Sequence, residues 1–353
     1  MITVCEKGKC TGCMECIDIC PKGAVQVVDS MIEYNAIIDF DKCTKCNACH
    51  KACQNNHELM LAKPICWNQG WAADENIREK SSSGGLATAI ELAFIRNGGV
   101  VCSCTFHSGR FEFDFAETEG EVSKFLGSKY VKSNPGGIYK KVLERLKDGE
   151  KILFVGLPCQ VAAAKQNHQN LYTIDLICHG TPSPKILEKF LDDYDVKLVD
   201  LERIRFRVKN SFRLEQNGKQ FAVPTVTDNY LMTFLNSTSY TENCYQCNYA
   251  QLGRAGDITL GDSWGSELEK KIQDKGVSLI LCQSDKGKNL IEKSDLVLTD
   301  VELKRAIEHN HQLQHPSQKP PQREAFFREL NKGCKFKNVI RKCYPERYLK
   351  DTL

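Results

Sequence analysis

Cysteine spacing constrains this chain more than any other feature. Cys10-x-x-Cys13-x-x-Cys16-x-x-x-Cys20 is followed by Pro21, and the same spacing returns as Cys43-x-x-Cys46-x-x-Cys49-x-x-x-Cys53. Three thiolates in one tight loop can hold three corners of a cubic 4Fe-4S cluster, and the fourth, carried off by the helix that follows, reaches the neighbouring cluster. The duplication therefore predicts a crossed pairing: Cys10, Cys13, Cys16 and Cys53 for one cluster, Cys43, Cys46, Cys49 and Cys20 for the other. Zinc is the alternative, but zinc is more often held by two separated ligand pairs than by two four-cysteine runs. Cys5 lies outside the repeat and reads as a bystander.

Nine of the nineteen cysteines fall before residue 54, which marks residues 1–61 as a separate module. The remainder, 62–353 with a core at about 75–330, is long enough for a second, larger domain. The 48 basic and 45 acidic residues are interspersed without long blocks of one sign, so nothing points to nucleic acid or an anionic membrane. The N-terminus lacks an apolar signal region, and the most apolar window, Leu86 to Ile95, is short and contains Glu91. No integral membrane segment and a cytoplasmic location are expected. In that reducing compartment the cysteines speak for metal or redox chemistry rather than disulfides.

After residue 61, "AKPICWNQGW" (Ala62 to Trp71) reads as a connection. Leu86, Ala89, Ile90, Ala93 and Phe94 then mark the buried stripe of a helix stopped by Gly98-Gly99. Strands are expected at 100–106, at the strictly alternating 110–116 and at 151–156, where "KILFVG" is a continuous apolar run suited to a strand buried on both faces. A helix marked by Ile138, Val142, Leu143 and Leu146 precedes that run. Further strands are predicted at 171–178, 203–208, 257–262 and 277–282. The fold class is thus an α+β ferredoxin-like two-cluster module followed by a larger α/β domain with a mixed sheet.

Several stretches of the large domain carry chemistry. "KSSSGGLAT" (Lys80 to Thr88) brings serines and glycines to a helix start, which suits a phosphate or serves as a plain cap and turn. "GSKY" (Gly127 to Tyr130) offers Lys129 to a cofactor phosphate or ring, or is surface. "GLPCQ" (Gly156 to Gln160) and "DLICHGTPSP" (Asp175 to Pro184) each close a strand, the place where open α/β sheets bind ligands, and put Cys159, Cys178 and His179 there. "CYQC" (Cys244 to Cys247) is half of a metal site.

The N-terminal run resembles bacterial two-cluster ferredoxins, with Gln54 standing where those usually have proline after the fourth cysteine. With "SSSGG", "GSKY", "GLPCQ", "DLICHGTPSP", "FRVK" (Phe206 to Lys209), "CYQC", "DITLGDSWG" (Asp257 to Gly265) and "GVSL" (Gly276 to Leu279) in this order, residues 75–330 resemble the coenzyme F420 hydrogenase/dehydrogenase beta-subunit family. The departures are Leu157 and Ser263, where a small polar residue and an aromatic are common. The resemblance implies FAD and a third 4Fe-4S cluster. It puts the flavin at Ser82, Ser83, Gly84, Gly85 and Thr88, near Ser128, Lys129 and Tyr130, and less firmly at Asp262.

Sorting the remaining thiols by their surroundings leaves four in polar, turn-rich stretches: Cys159, Cys178, Cys244 and Cys247. Four thiolates satisfy zinc or a cube equally, and local spacing does not choose; the resemblance favours iron–sulfur. The function it implies is an oxidoreductase linking a two-electron carrier, reduced F420 in that family, through FAD and three clusters to one-electron acceptors and a redox partner protein. Two alternatives stand beside it. One is ferredoxin-driven reduction of an organic substrate at FAD, and the other is a non-catalytic electron-transfer subunit with a structural zinc at Cys244 and Cys247. Hydride transfer demands no acid or base, so no catalytic side chain is assigned; His179 is the nearest candidate for a proton relay.

Overall fold

The computed structural model describes residues 2–165, 168–222 and 226–346. In the N-terminal module, β1 (Val25–Asp29) and β2 (Tyr34–Ile38) form an antiparallel hairpin, edged by Val4, whose N–H donates to the Ala36 carbonyl. Two short helices, Glu15–Asp18 and Ala48–Ala52, each follow a cysteine loop. Each is entered through a residue of left-handed conformation, Met14 (φ 65°) and Asn47 (φ 62°), so the sequence duplication is also a duplication of backbone. The small core holds Val4, Val25, Tyr34, Ala36 and Ile38 packed against the cysteines themselves.

The large domain is built on β3 (Cys66–Ala72), β4 (Val100–His107), β5 (Arg110–Ala116), β6 (Ile152–Gly156), β7 (Leu171–Leu176), β8 (Ile204–Val208), β9 (Ser211–Gln216), β10 (Lys219–Gln220), β11 (Ile258–Asp262), β12 (Ser278–Cys282) and β13 (Leu296–Thr299). Eight of these make one mixed sheet in the order β13-β3-β12-β11-β7-β6-β4-β5. The inner four, β11, β7, β6 and β4, run parallel, and the flanking pairs are antiparallel. β6 is buried along its whole length: Ile152 and Phe154 enter one core and Leu153 and Val155 the other, as the two-residue pleat requires. One face is covered by the helix Leu86–Arg96 through Leu86, Ile90 and Phe94, the other by Ile138–Lys147 and Pro158–Ala164. Truncating Phe154 to alanine would cost about 3–5 kcal/mol, the usual cost of an emptied aromatic site.

Two expectations are corrected. The stretch read as a connection contributes β3, held between β12 and β13; Gly70 belongs there because a Cβ would stand 2.1 Å from the Val297 carbonyl oxygen. The strand at 204–208 pairs with β9, and β9 with β10, in a separate three-stranded antiparallel sheet. That sheet shares an aromatic core, Phe190, Phe206, Tyr230, Phe326 and Phe336, with the helices Pro184–Leu191, Asn229–Leu235, Arg323–Asn331 and Phe336–Cys343. Among the described residues no helix is long and apolar enough to cross a membrane.

The module is docked on the large domain. Asp18 accepts from the N–H groups of Gly137, Tyr139 and Lys140 (2.6, 3.1 and 3.4 Å), capping the helix Ile138–Lys147 across the joint. Lys132 Nζ donates to the Thr11 carbonyl (2.9 Å), and Lys185 Nζ to that of Asp29 (2.7 Å).

Candidate functional site

Inside the module Cys20 meets Cys43, Cys46 and Cys49 around a small cavity of about 20 Å³ that Pro21, Asn47 and Ala48 also line. Cys10, Cys13, Cys16 and Cys53 are all buried, and the neighbouring Cys13, Cys10 and Cys53 add to the burial that pushes the Cys16 thiol up. Pairing of Val4 with Ala36 turns Cys5 inward, where it shares the buried module core with Cys10 and Cys53 and its thiol accepts from the Asn55 amide (3.8 Å).

The four remaining candidate thiols come from three loops and share one cavity of about 170 Å³. Cys159 enters it from the first turn after β6, Cys178 from the end of β7, and Cys244 and Cys247 from the turn Glu242–Gln246 and its exit. Gly180 makes the close approach possible: at φ +141°, a Cβ there would stand 2.3 Å from the Tyr240 ring. The wall is completed by Thr11 of the module, Lys132, Tyr249 and Arg254. Burial pushes Cys178 up to about 12 and Cys159 up as well, while the Lys132 ammonium pulls both back toward the thiolate. The Thr181 N–H points at Cys244 Sγ (3.4 Å), and Thr11 Oγ1 is buried without a hydrogen-bond partner.

A single zinc would draw four thiolates to about 2.3 Å and leave no comparable space. Among the described residues no three His, Cys, Asp or Glu side chains gather closely enough to hold one ion. An all-thiol donor set around a cavity of this size fits a larger inorganic group, one whose several metal atoms each take one thiolate.

Arg254, 2% exposed, holds the cavity wall to the sheet. Its guanidinium donates to Asp175 Oδ1 (2.8 and 3.1 Å) and to the carbonyls of Leu176 and Tyr249 (both 2.9 Å).

The residues considered for a flavin lie along the same sheet. The Ser82–Gly85 loop lies flat on β3 and β12, because a Cβ on Gly84 would sit 2.5 Å from the Gly70 carbonyl oxygen. Ser82 Oγ accepts from the Ser128 N–H (3.0 Å), so "SSSGG" and "GSKY" meet; Thr88 is half-buried one turn on. Ser83 Oγ donates to Val277 O, and Gly84 N to Ser278 Oγ. Lys129 turns inward: Nζ donates to Phe125 O (2.7 Å), and burial lowers its pKa. Asp262 is engaged in a two-pronged ion pair with Arg207 (2.5 and 2.9 Å), whose guanidinium also reaches the Tyr130 hydroxyl. Tyr130 stacks on Phe234 (4.5 Å), Phe234 packs on Tyr240 (5.3 Å), and Phe234, Tyr240 and Cys244 form one apolar cluster.

Three family models match the chain. One, for a 4Fe-4S dicluster domain, covers residues 9–58. The others describe the coenzyme F420 hydrogenase/dehydrogenase beta subunit, its N-terminal part over residues 68–136 and its C-terminal part over 149–303. The chain belongs to this beta-subunit family. It is an iron–sulfur oxidoreductase of the electron-transfer type, with a dicluster domain fused at the N-terminal side. A chain from the F420-reducing NiFe hydrogenase complex of Methanosarcina barkeri has a similar fold, with TM-score 0.52 at 20% identity over 72% of this chain and 91% of that one. One component of an ion-translocating oxidoreductase complex of Methanosarcina acetivorans is 46% identical over 50 residues, 14% of this chain; the match spans 17% of that relative's length.

In this family member several residues that touch the candidate sites escaped the sequence reading. Arg207 and Lys209, whose Nζ donates to Ser83 O (3.0 Å), stand in the "FRVK" stretch, where two cations at a strand end were a usable signal. Lys132 and Arg254 gave none, being isolated basic residues in ordinary contexts. His179 lies on the cavity wall with Nδ1 at 2.6 Å from the Gln312 amide, and burial lowers it to about 4.

Proposed function

We propose that the chain carries electrons between a two-electron carrier at a bound FAD and a one-electron protein partner, through three 4Fe-4S clusters. FAD would supply the hydride chemistry and the clusters the single-electron steps. Ser82, Ser83, Gly84, Gly85, Thr88 and Ser128 would hold the flavin, with Tyr130 and the Arg207–Asp262 pair at its side. Lys209, rather than the inward-turned Lys129, is the cation near the loop. Cys159, Cys178, Cys244 and Cys247 would ligate the third cluster.

The observation that carries this reading is the shared cavity of those four thiols, with Thr11 of the ferredoxin module in its wall. Around it the sites form a line. Tyr130, Phe234 and Tyr240 lead in packed contact toward Cys244, and Cys13 belongs to the same apolar cluster as Cys159 and Cys247. The module's two quartets share one core, and the far quartet reaches the surface at Cys46, with Ile19 and Phe40 about half exposed in the same module. A partner meeting that face would receive or deliver single electrons. The carrier is taken to be F420 by analogy with the family and with the hydrogenase complex of similar fold.

Iron, zinc and flavin counting on anaerobically purified protein tests this directly. Three cubes require about 12 iron atoms per chain, whereas about 8 with one zinc would leave the third cluster out. Absence of flavin from cluster-loaded protein would sink the FAD assignment. Titration with reduced F420, NADH, NADPH and reduced ferredoxin then identifies the donor, and with it the direction of flow.

A further inference from the structure

Gln54 stands where two-cluster ferredoxins usually have proline, and it is buried, 8% exposed, at the joint between module and sheet. Proline would bring no side-chain hydrogen bond. Gln54 brings two. Its Nε2 donates to the carbonyl of Cys159 (2.7 Å) and its Oε1 accepts from the Tyr249 hydroxyl. One residue therefore follows Cys53 of the first quartet along the chain and hydrogen-bonds the backbone of Cys159 of the cavity quartet. Tyr249, 4% exposed and two residues beyond Cys247, is pinned by Arg254 at its own carbonyl.

We propose that Gln54 is a positioning residue that joins the first site of the ferredoxin module to the cavity site and sets their separation. The inference rests on the three-cluster reading given above.

The physics favours such a role. A buried amide left unpaired costs about 1–3 kcal/mol, so an interface that satisfies both ends of the amide admits one relative placement of its two sides. A leucine would fill similar space without that demand. Electron tunnelling falls steeply with distance, so a joint that fixes the gap fixes the rate.

The test uses the holoprotein and the variants Gln54→Leu and Tyr249→Phe. Iron is counted first: a wild-type value of about 8 rather than about 12 atoms per chain would overturn the three-cluster reading, and this inference with it. With the full count, the midpoint of the first cluster is followed by EPR-monitored titration and module reduction by stopped flow. Gln54→Leu is expected to keep its iron and that midpoint and to slow reduction of the module at least tenfold. Tyr249→Phe, which spares the bond to Cys159, is expected to slow the rate less. A Gln54→Leu protein with full iron and a rate within twofold of wild type would overturn the proposal, as would a slowed rate that a shifted midpoint accounts for. Should Gln54→Leu lose iron, Gln54→Met takes its place under the same criteria, since it fills similar space, carries no charge and cannot donate to Cys159.

Discussion

Arg254→Met removes the cation that binds the Cys244–Ala250 turn to the sheet. Asp175, fully buried, would keep one carboxylate bond, from the Gly256 N–H (2.8 Å), and lose both bonds from the guanidinium. The carbonyls of Leu176 and Tyr249 would lose donors as well. Breaking a buried ion pair from one side costs about 3–5 kcal/mol, because the surviving charge is stranded. At about 1.4 °C per kcal/mol for a chain of this size, the expected fall in melting midpoint is about 4–7 °C. Anaerobic thermal melts of samples matched for iron would measure it. Arg254→Met/Asp175→Leu should recover most of the loss, since a buried pair replaced by apolar groups is often close to neutral. A single variant melting within about 1 °C of wild type, or a double variant no better than the single one, would refute the reasoning.

Three further substitutions probe other links. Gly84→Ala drives a Cβ to 2.5 Å from the Gly70 carbonyl oxygen and 2.9 Å from Ser278 N; a loss of about 1–3 kcal/mol is expected, with reduced flavin retention, read from melts and flavin content. Glu91 is buried on the helix Leu86–Arg96, and burial raises its pKa from 4.5 to about 8, with Lys129 opposing. The folded chain thus holds a proton that the unfolded chain releases. Its contribution is full below the unfolded value and is lost as pH rises through about 8, at up to about 1.4 kcal/mol per pH unit in between. Glu91→Gln should flatten that fall in melts between pH 5.5 and 8; equal slopes would contradict it. Cys5→Ala should leave iron per chain unchanged, whereas a loss of about 4 atoms would make Cys5 a ligand.

Local pattern revealed the elements whose burial is written along the chain. β5 alternates strictly and occupies the span read for it, and the continuous run of β6 is buried on both faces. β3 was hidden because Asn68, Gln69 and Gly70 interrupt its pattern; its strand character comes from β12 and β13 on either side, 200 residues later in the chain. β8 was legible as a strand but not as a member of the smaller sheet, since pairing partners are not encoded locally. The cavity thiols stood out by their turn-rich settings. Their convergence depends on β6 and β7 lying side by side and on Arg254 returning a distant turn to the sheet. Gln54 was legible only as a missing proline, because its hydrogen-bond acceptor lies 105 residues away.

The way the module is attached bears on what a fused ferredoxin domain is for. A tethered carrier would touch its partner through a few exposed side chains and swing on a linker. Here Asp18 caps a helix of the large domain, Lys132 reaches back to Thr11, and Ser183 and Lys185 hold Asp29. The Ile32 carbonyl accepts from the Glu242 N–H two residues before Cys244. These bonds lie on different edges of the module, so no single hinge can open it without breaking most of them. The gap between the first quartet and the cavity is thereby a property of the fold. On the three-cluster reading, an electron crossing it waits for no encounter, and diffusion enters only where the exposed Cys46 face meets another protein.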